Sequence, residues 1–65
     1  MAWRHVEVAF KDQSRPHERF LADDDGRPIE DGSEWVFRYT SNGGVVEERR
    51  FSKDEVQTWD YPPNA

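Results

Sequence analysis

The chain has 65 residues, no cysteine and a formal net charge of −5, with a sequence pI near 4.8. That length allows one domain near the lower limit for independent folding, and the lack of cysteine excludes disulfide staples and thiolate metal sites. Absence of cysteine suits a reducing compartment. No segment is apolar for long enough to span a bilayer and none has the layout of a signal peptide, so the expected location is cytoplasmic.

Ordering a chain of this size costs on the order of 100 kcal/mol, which the core nearly cancels, leaving a net stability of about 3–5 kcal/mol. Leu, Ile, Val and Phe number only 12. The core must therefore lean on large rings, each able to bury roughly 150–250 Å².

Residues 3–11 read as a first strand, with Val6, Val8 and Phe10 on one face and His5, Glu7, Ala9 and Lys11 on the other. Residues 12–17 form a loop around Pro16, which lacks the donor a central strand needs. A short second strand is expected at 18–22, around Phe20 and Leu21.

Residues 23–34 hold Asp23, Asp24, Asp25, Glu30, Asp31 and Glu34 against Arg27 alone. This window carries −5 by itself, and the rest of the chain balances eight acids with eight bases. Asp-Asp-Asp-Gly and Glu-Asp-Gly are good turn chemistry, so a solvated connecting loop accounts for the segment structurally, with Ile29 as its apolar anchor. Functionally, a concentrated acidic patch attracts basic surfaces and repels phosphate backbones. Asp23, Asp25 and a following glycine echo part of a calcium-binding loop, but the regular ligand spacing and the flanking helices are missing.

Two further strands follow at 34–40 and 45–51, joined by Ser41-Asn42-Gly43-Gly44. Trp35, Phe37 and Tyr39 alternate with Val36, Arg38 and Thr40, which places the aromatic residues in the core. A two-residue Asn-Gly turn pairs Tyr39 with Val46. A three-residue loop pairs Trp35 with Phe51 and Arg38 with Glu48, and this register is preferred because it groups the aromatics. Ser52 and Glu55 fit a helix capping box, Phe51 and Val56 fit a hydrophobic staple, and Val56 and Trp59 stand three apart. These signals predict a helix of about two turns, ended by Tyr61 and Pro62-Pro63. The expectation is an α+β fold: a small antiparallel sheet of three to four strands with one short C-terminal helix, a single domain over 1–61 and a flexible tail over 62–65.

Catalytic chemistry finds little support. Asp12, Ser14 and His17 could be written as a nucleophile–base set, but they share one loop without a strained elbow or oxyanion donors. Glu47 and Glu48 are consecutive on a strand and point to opposite faces. His5 and His17 lack a third ligand at metal spacing, and Gly43-Gly44 is not followed by the Lys-Ser/Thr of a phosphate loop. No enzyme activity, metal or cofactor is expected.

The stretch Trp35-x-x-Arg38-Tyr39, turn, strand, then Phe51-Ser52-Lys53-Asp54-Glu55-Val56-x-x-Trp59, resembles the sheet-plus-helix modules at the N-termini of phage integrases and in AP2-type domains. Those modules lay a small antiparallel sheet into the DNA major groove. The resemblance covers residues 34–59 and implies nucleic-acid binding through Arg38, Tyr39, Arg49 and Arg50. The chain departs from it in charge, because Glu34, Glu47 and Glu48 offset the three arginines, and a polyanion site needs a basic face. The leading expectation is a non-catalytic protein-binding module or regulator. It would present Asp23, Asp24, Asp25, Glu30, Asp31 and Glu34 to a basic partner surface, as a monomer or weak homodimer. Nucleic-acid binding through the hairpin is the alternative.

Overall fold

The computed structural model describes residues 3–41 and 43–63; Asn42 of the hairpin turn and Asn64 and Ala65 of the expected tail lie outside them. The described residues form six strands: β1 (Trp3–Phe10), β2 (Glu18–Asp23), β3 (Ile29–Asp31), β4 (Glu34–Thr40), β5 (Val46–Ser52) and β6 (Val56–Asp60). They make two three-stranded antiparallel sheets, ordered β2-β1-β6 and β3-β4-β5. The fold is all-β, with a lone 3₁₀ turn at Asp24–Gly26 and no α-helix among the described residues.

This corrects the expected α+β class, and the physical reason lies in residues 52–60. The capping-box residues do make one turn: the Glu55 N–H donates to the Ser52 carbonyl at 3.0 Å, and the Asp54 N–H donates to Ser52 Oγ at 3.3 Å. The chain then leaves helical geometry, because Val56 pairs with Phe10 and Trp59 with Val8 on β1. A two-turn helix is marginal on its own. Burying a Val or aromatic side chain contributes about 1.5–3 kcal/mol, more than the few tenths per residue at stake in helix propensity. Between Ala9 and Phe10 the register shifts, so Gln57 is an extra residue opposite β1. That bulge turns both Val56 and Trp59 toward the core. The three-residue spacing that reads as a helix face is the signature of a bulged strand.

The β4–β5 hairpin takes the register with Trp35 opposite Phe51 and Arg38 opposite Glu48. Its loop closes with the Gly44 N–H on the Ser41 carbonyl and the Ser41 N–H on the Val45 carbonyl, both at 2.9 Å. Gly44 takes φ +79°, the left-handed residue that a three-residue hairpin loop requires.

The core lies between the sheets. Val6, Val8, Phe10, Phe20 and Ala22 face it from β1 and β2, Phe37 and Phe51 from β4 and β5, and Val56 from β6. Trp35, Trp59 and Tyr61 pack against its margin. Phe51 contacts three other rings, with centroids 5.7 Å from Phe10, 5.8 Å from Phe20 and 6.1 Å from Phe37.

Residues 23–34 are not one connecting loop. They contain the end of β2, the 3₁₀ turn, all of β3 and the start of β4. β2 and β3 are two halves of a bent segment, each pairing in a different sheet. The bend uses three successive positive φ angles: Asp24 at 57°, Asp25 at 59° and Gly26 at 79°. Ile29, expected as an apolar anchor, is 43% exposed. The anchor is instead buried Gly26, whose carbonyl accepts the Tyr61 hydroxyl at 3.3 Å. A Cβ on Gly26 would stand 2.6 Å from Tyr61 Cε1 and 2.9 Å from Val6 Cγ2. Gly26→Ala is therefore expected to cost roughly 2–4 kcal/mol, from backbone strain plus overpacking. Urea denaturation would measure it, and a loss below about 0.5 kcal/mol would show that this close approach does not hold the bend.

Candidate functional site

The acidic residues of 23–34 end up in three settings. Asp23, half-buried at the end of β2, accepts the Thr40 N–H at 2.9 Å through Oδ2 and so ties β2 to the end of β4. Glu30, Asp31 and Glu34 lie beside bases from the neighbouring strand and turn. Asp31 and Glu34 hold the Arg50 guanidinium at 3.0 and 3.2 Å, and Glu30 takes Lys53 Nζ at 2.6 Å. Asp31, and next Glu34, push the Arg50 guanidinium further above its ordinary value. Lys53 in turn stands 4.9 Å over the Trp35 ring. Asp24 and Asp25 remain exposed at the bend, with no ion pair among the described residues. The patch that reads as uniform in sequence is thus divided: four carboxylates have partners within the fold, and two at the corner have no ion pair among the described residues.

The hairpin residues of the alternative reading do not converge. The β4–β5 register puts Arg38, Glu48 and Arg50 on the outer face of that sheet, and Tyr39, Glu47 and Arg49 on the inner face. Each arginine already has a carboxylate: Arg38 bonds Glu48 at 2.9 Å, Arg50 bonds Asp31, Glu34 and Glu48, and Arg49 lies 3.5 Å from Glu18. Val36, on the outer face between Ile29 and Arg50, is 1% exposed beneath this charged layer. The helix that the nucleic-acid resemblance needs is strand β6. Comparison with family models, with curated proteins and with solved structures finds no match.

The loop set Asp12, Ser14 and His17 is also separated. Asp12 Oδ1 accepts both the Ser14 N–H and its hydroxyl, at 3.0 and 2.7 Å, which closes a local turn. His17 instead joins Glu7 across the β1–β2 pair, Nδ1 to Oε2 at 2.9 Å, and Arg19 takes the other Glu7 oxygen. Among the described residues no group of three or more His, Asp or Glu side chains is placed to hold a metal ion.

One feature was not legible in the chain. A cleft of about 500 Å³ opens between the edges of β2 and β5, floored by Phe20, Phe37 and Tyr39 and rimmed by Arg19, Glu47 and Arg49. It exists because β2 and β5 belong to different sheets and do not pair with each other. No local spacing encodes such a gap.

The Glu7 cluster yields a pH prediction. Hydrogen bonds from His17, and next from Arg19, hold the Glu7 carboxyl below its ordinary value, and the Ser14 bonds do the same for Asp12. A depressed folded-state value contributes stability above the ordinary carboxylate range, and that stability is lost as pH falls through the folded value. The melting temperature is expected to drop on acidification below about pH 4.5. Glu7→Gln should flatten that slope while lowering the plateau at neutral pH. Thermal melts from neutral to acid pH would measure it, and an unchanged slope in the variant would mean that Glu7 does not set the acid sensitivity.

Proposed function

We propose that the protein is a non-catalytic binding module that presents its acidic corner to a basic surface on a partner protein. The observation that carries this reading is the pair Asp24 and Asp25. Both are exposed, neither has an ion pair among the described residues, and both sit on the bend that ends at buried Gly26. Aspartate is among the few non-glycine residues that enter the left-handed region readily, so the bend holds both residues at the surface at little backbone cost. Carboxylates without an internal ion pair give up none on docking, which favours association with a basic surface. Glu30, Asp31 and Glu34 extend the negative field around them, although Lys53 and Arg50 screen it.

Nucleic-acid binding gains nothing from the arrangement. A phosphate backbone would have to compete with Glu18, Glu48, Asp31 and Glu34 for the three arginines. It would also approach a surface with excess negative charge.

The choice of test variant depends on which carboxylates are engaged. Neutralising Asp23 or Asp31 would disturb the Thr40 and Arg50 bonds. Asp24→Asn together with Asp25→Asn removes two charges and keeps residues that tolerate positive φ. A lysine- and arginine-rich peptide titrated into isotope-labelled protein should shift resonances of residues 23–25 and 30–34. Its affinity should fall roughly tenfold in the double variant at low salt, about 1.4 kcal/mol. Equal affinity for the two proteins would overturn the proposal.

A further inference from the structure

β5 pairs with β4 on one side only, and among the described residues no strand pairs with its other side. Two bonds show which backbone groups face that open side. The Ser41 N–H donates to the Val45 carbonyl and the Lys53 N–H donates to the Ser33 carbonyl, each at 2.9 Å. Antiparallel ladders alternate hydrogen-bonded and non-hydrogen-bonded pairs. With Trp35 opposite Phe51, the odd-numbered residues from 45 to 53 bond toward β4. The N–H groups of Val46, Glu48, Arg50 and Ser52 therefore point outward. Edge strands are usually blunted by short length, Pro, bulges or charged side chains, including charges that point inward. β5 is seven residues long, contains neither Pro nor Gly and has no register shift. It does carry four charges, Glu47 and Arg49 on the inner face and Glu48 and Arg50 on the outer, but as two acids and two bases they can be offset by a second copy of the same strand.

These features together select an occupant. In an antiparallel pair, residues directly opposite each other must both point outward or both point back. Two copies related by a two-fold axis can then meet only with the axis through a residue. Every such axis near the middle of the strand opposes one charged residue with its own copy: an axis at Glu48 does so for Glu48 and pairs only Val46 to Arg50, and an axis at Arg50 does so for Arg50 and pairs only Glu48 to Ser52. An axis at Arg49 opposes each Glu48 with the other copy's Arg50 and uses the whole strand from Val46 to Ser52. We infer that β5 is a self-association edge, joining two copies of this chain antiparallel about Arg49 into one six-stranded sheet. This inference does not rest on the acidic-corner reading.

On the outer face, Glu48 already bridges Arg38 and Arg50 within the chain, so the join continues a row of alternating charge. On the inner face, Arg49 meets its own copy across the axis. Carboxylates flank that like-charged pair: Glu18 lies 3.5 Å from Arg49 within the chain, and the second copy's Glu47 is its diagonal neighbour. Glu47 has no ion pair among the described residues, and the cleft beside Phe20 and Tyr39 gives the guanidinium groups room.

Amide hydrogen exchange at about 50 μM and about 1 mM protein tests this, a range that spans the weak association of a small interface. Amides of Val46, Glu48 and Arg50 should slow by about fivefold or more at the higher concentration, while those of Glu47, Arg49 and Phe51, already bonded to β4, stay unchanged. Sedimentation should show dimer at the higher concentration. Glu48→Pro removes an outward N–H without breaking the β4 ladder, and Glu48→Lys keeps the N–H but opposes two cations. Each should weaken the dimer roughly tenfold or more. Exchange independent of concentration, slowing shared equally by odd and even residues, or dimerisation unaffected by Glu48→Lys would each overturn the inference.

Discussion

The packing of Phe51 against rings from both sheets is the interaction on which the rest of the structure depends. β5 carries it, Phe37 neighbours it within the same sheet, and Phe10 and Phe20 meet it from the other sheet. With so few aliphatic residues, this cluster supplies much of the apolar area the chain can bury. Its position also sets the course of the chain beyond β5. Once Phe51 is buried, the turn at 53–55 delivers Val56 beside Phe10, and the Glu55 carbonyl accepts the Lys11 N–H at 2.9 Å. A helix continuing from Ser52 would carry Val56 away from that ladder and leave sheet β2-β1-β6 with two strands.

The electrostatics arise from the same geometry. The β4–β5 hairpin that presents Phe51 also brings Glu48 to Arg38 and Arg50 to Glu34, and β3 on the far side of β4 brings Asp31 to Arg50. The charge concentrated at 23–34 in sequence is thereby partly neutralised by Arg50 and Lys53, far along the chain. The bend joining the sheets leaves Asp24 and Asp25 outside this exchange. The functional proposal thus rests on two carboxylates of the six that the chain groups together. Isolated surface ion pairs stabilise little, so these pairs matter chiefly for which charges stay available to a partner.

Much of the fold is legible where pattern and structure share one cause. Val6, Val8 and Phe10 alternate because β1 buries one face, and grouping the aromatics predicts the Trp35–Phe51 register. Residues 52–59 imitate a helix because their local signals are compatible with a single turn. Ser52 and Glu55 make that turn, and a bulge at Gln57 reproduces helical spacing. β3 is invisible for a different reason. Ile29, Glu30 and Asp31 are all exposed, so the strand exists through its pairing with β4 and shows no hydrophobic period. Of the candidate site, the sign and location of the charge are readable. Which carboxylates are engaged is not, since that depends on contacts between distant residues.

Equilibrium urea unfolding of Phe51→Ala, compared with the parent chain, tests most directly whether this cluster holds the fold together. Truncating a buried Phe costs about 3–5 kcal/mol, and a domain of this size has about 3–5 kcal/mol in total. The variant is expected to lose its cooperative transition and to be largely unfolded without denaturant. A cooperative transition with stability within about 1 kcal/mol of the parent would contradict the role given to Phe51 as the ring that contacts three others across the two sheets.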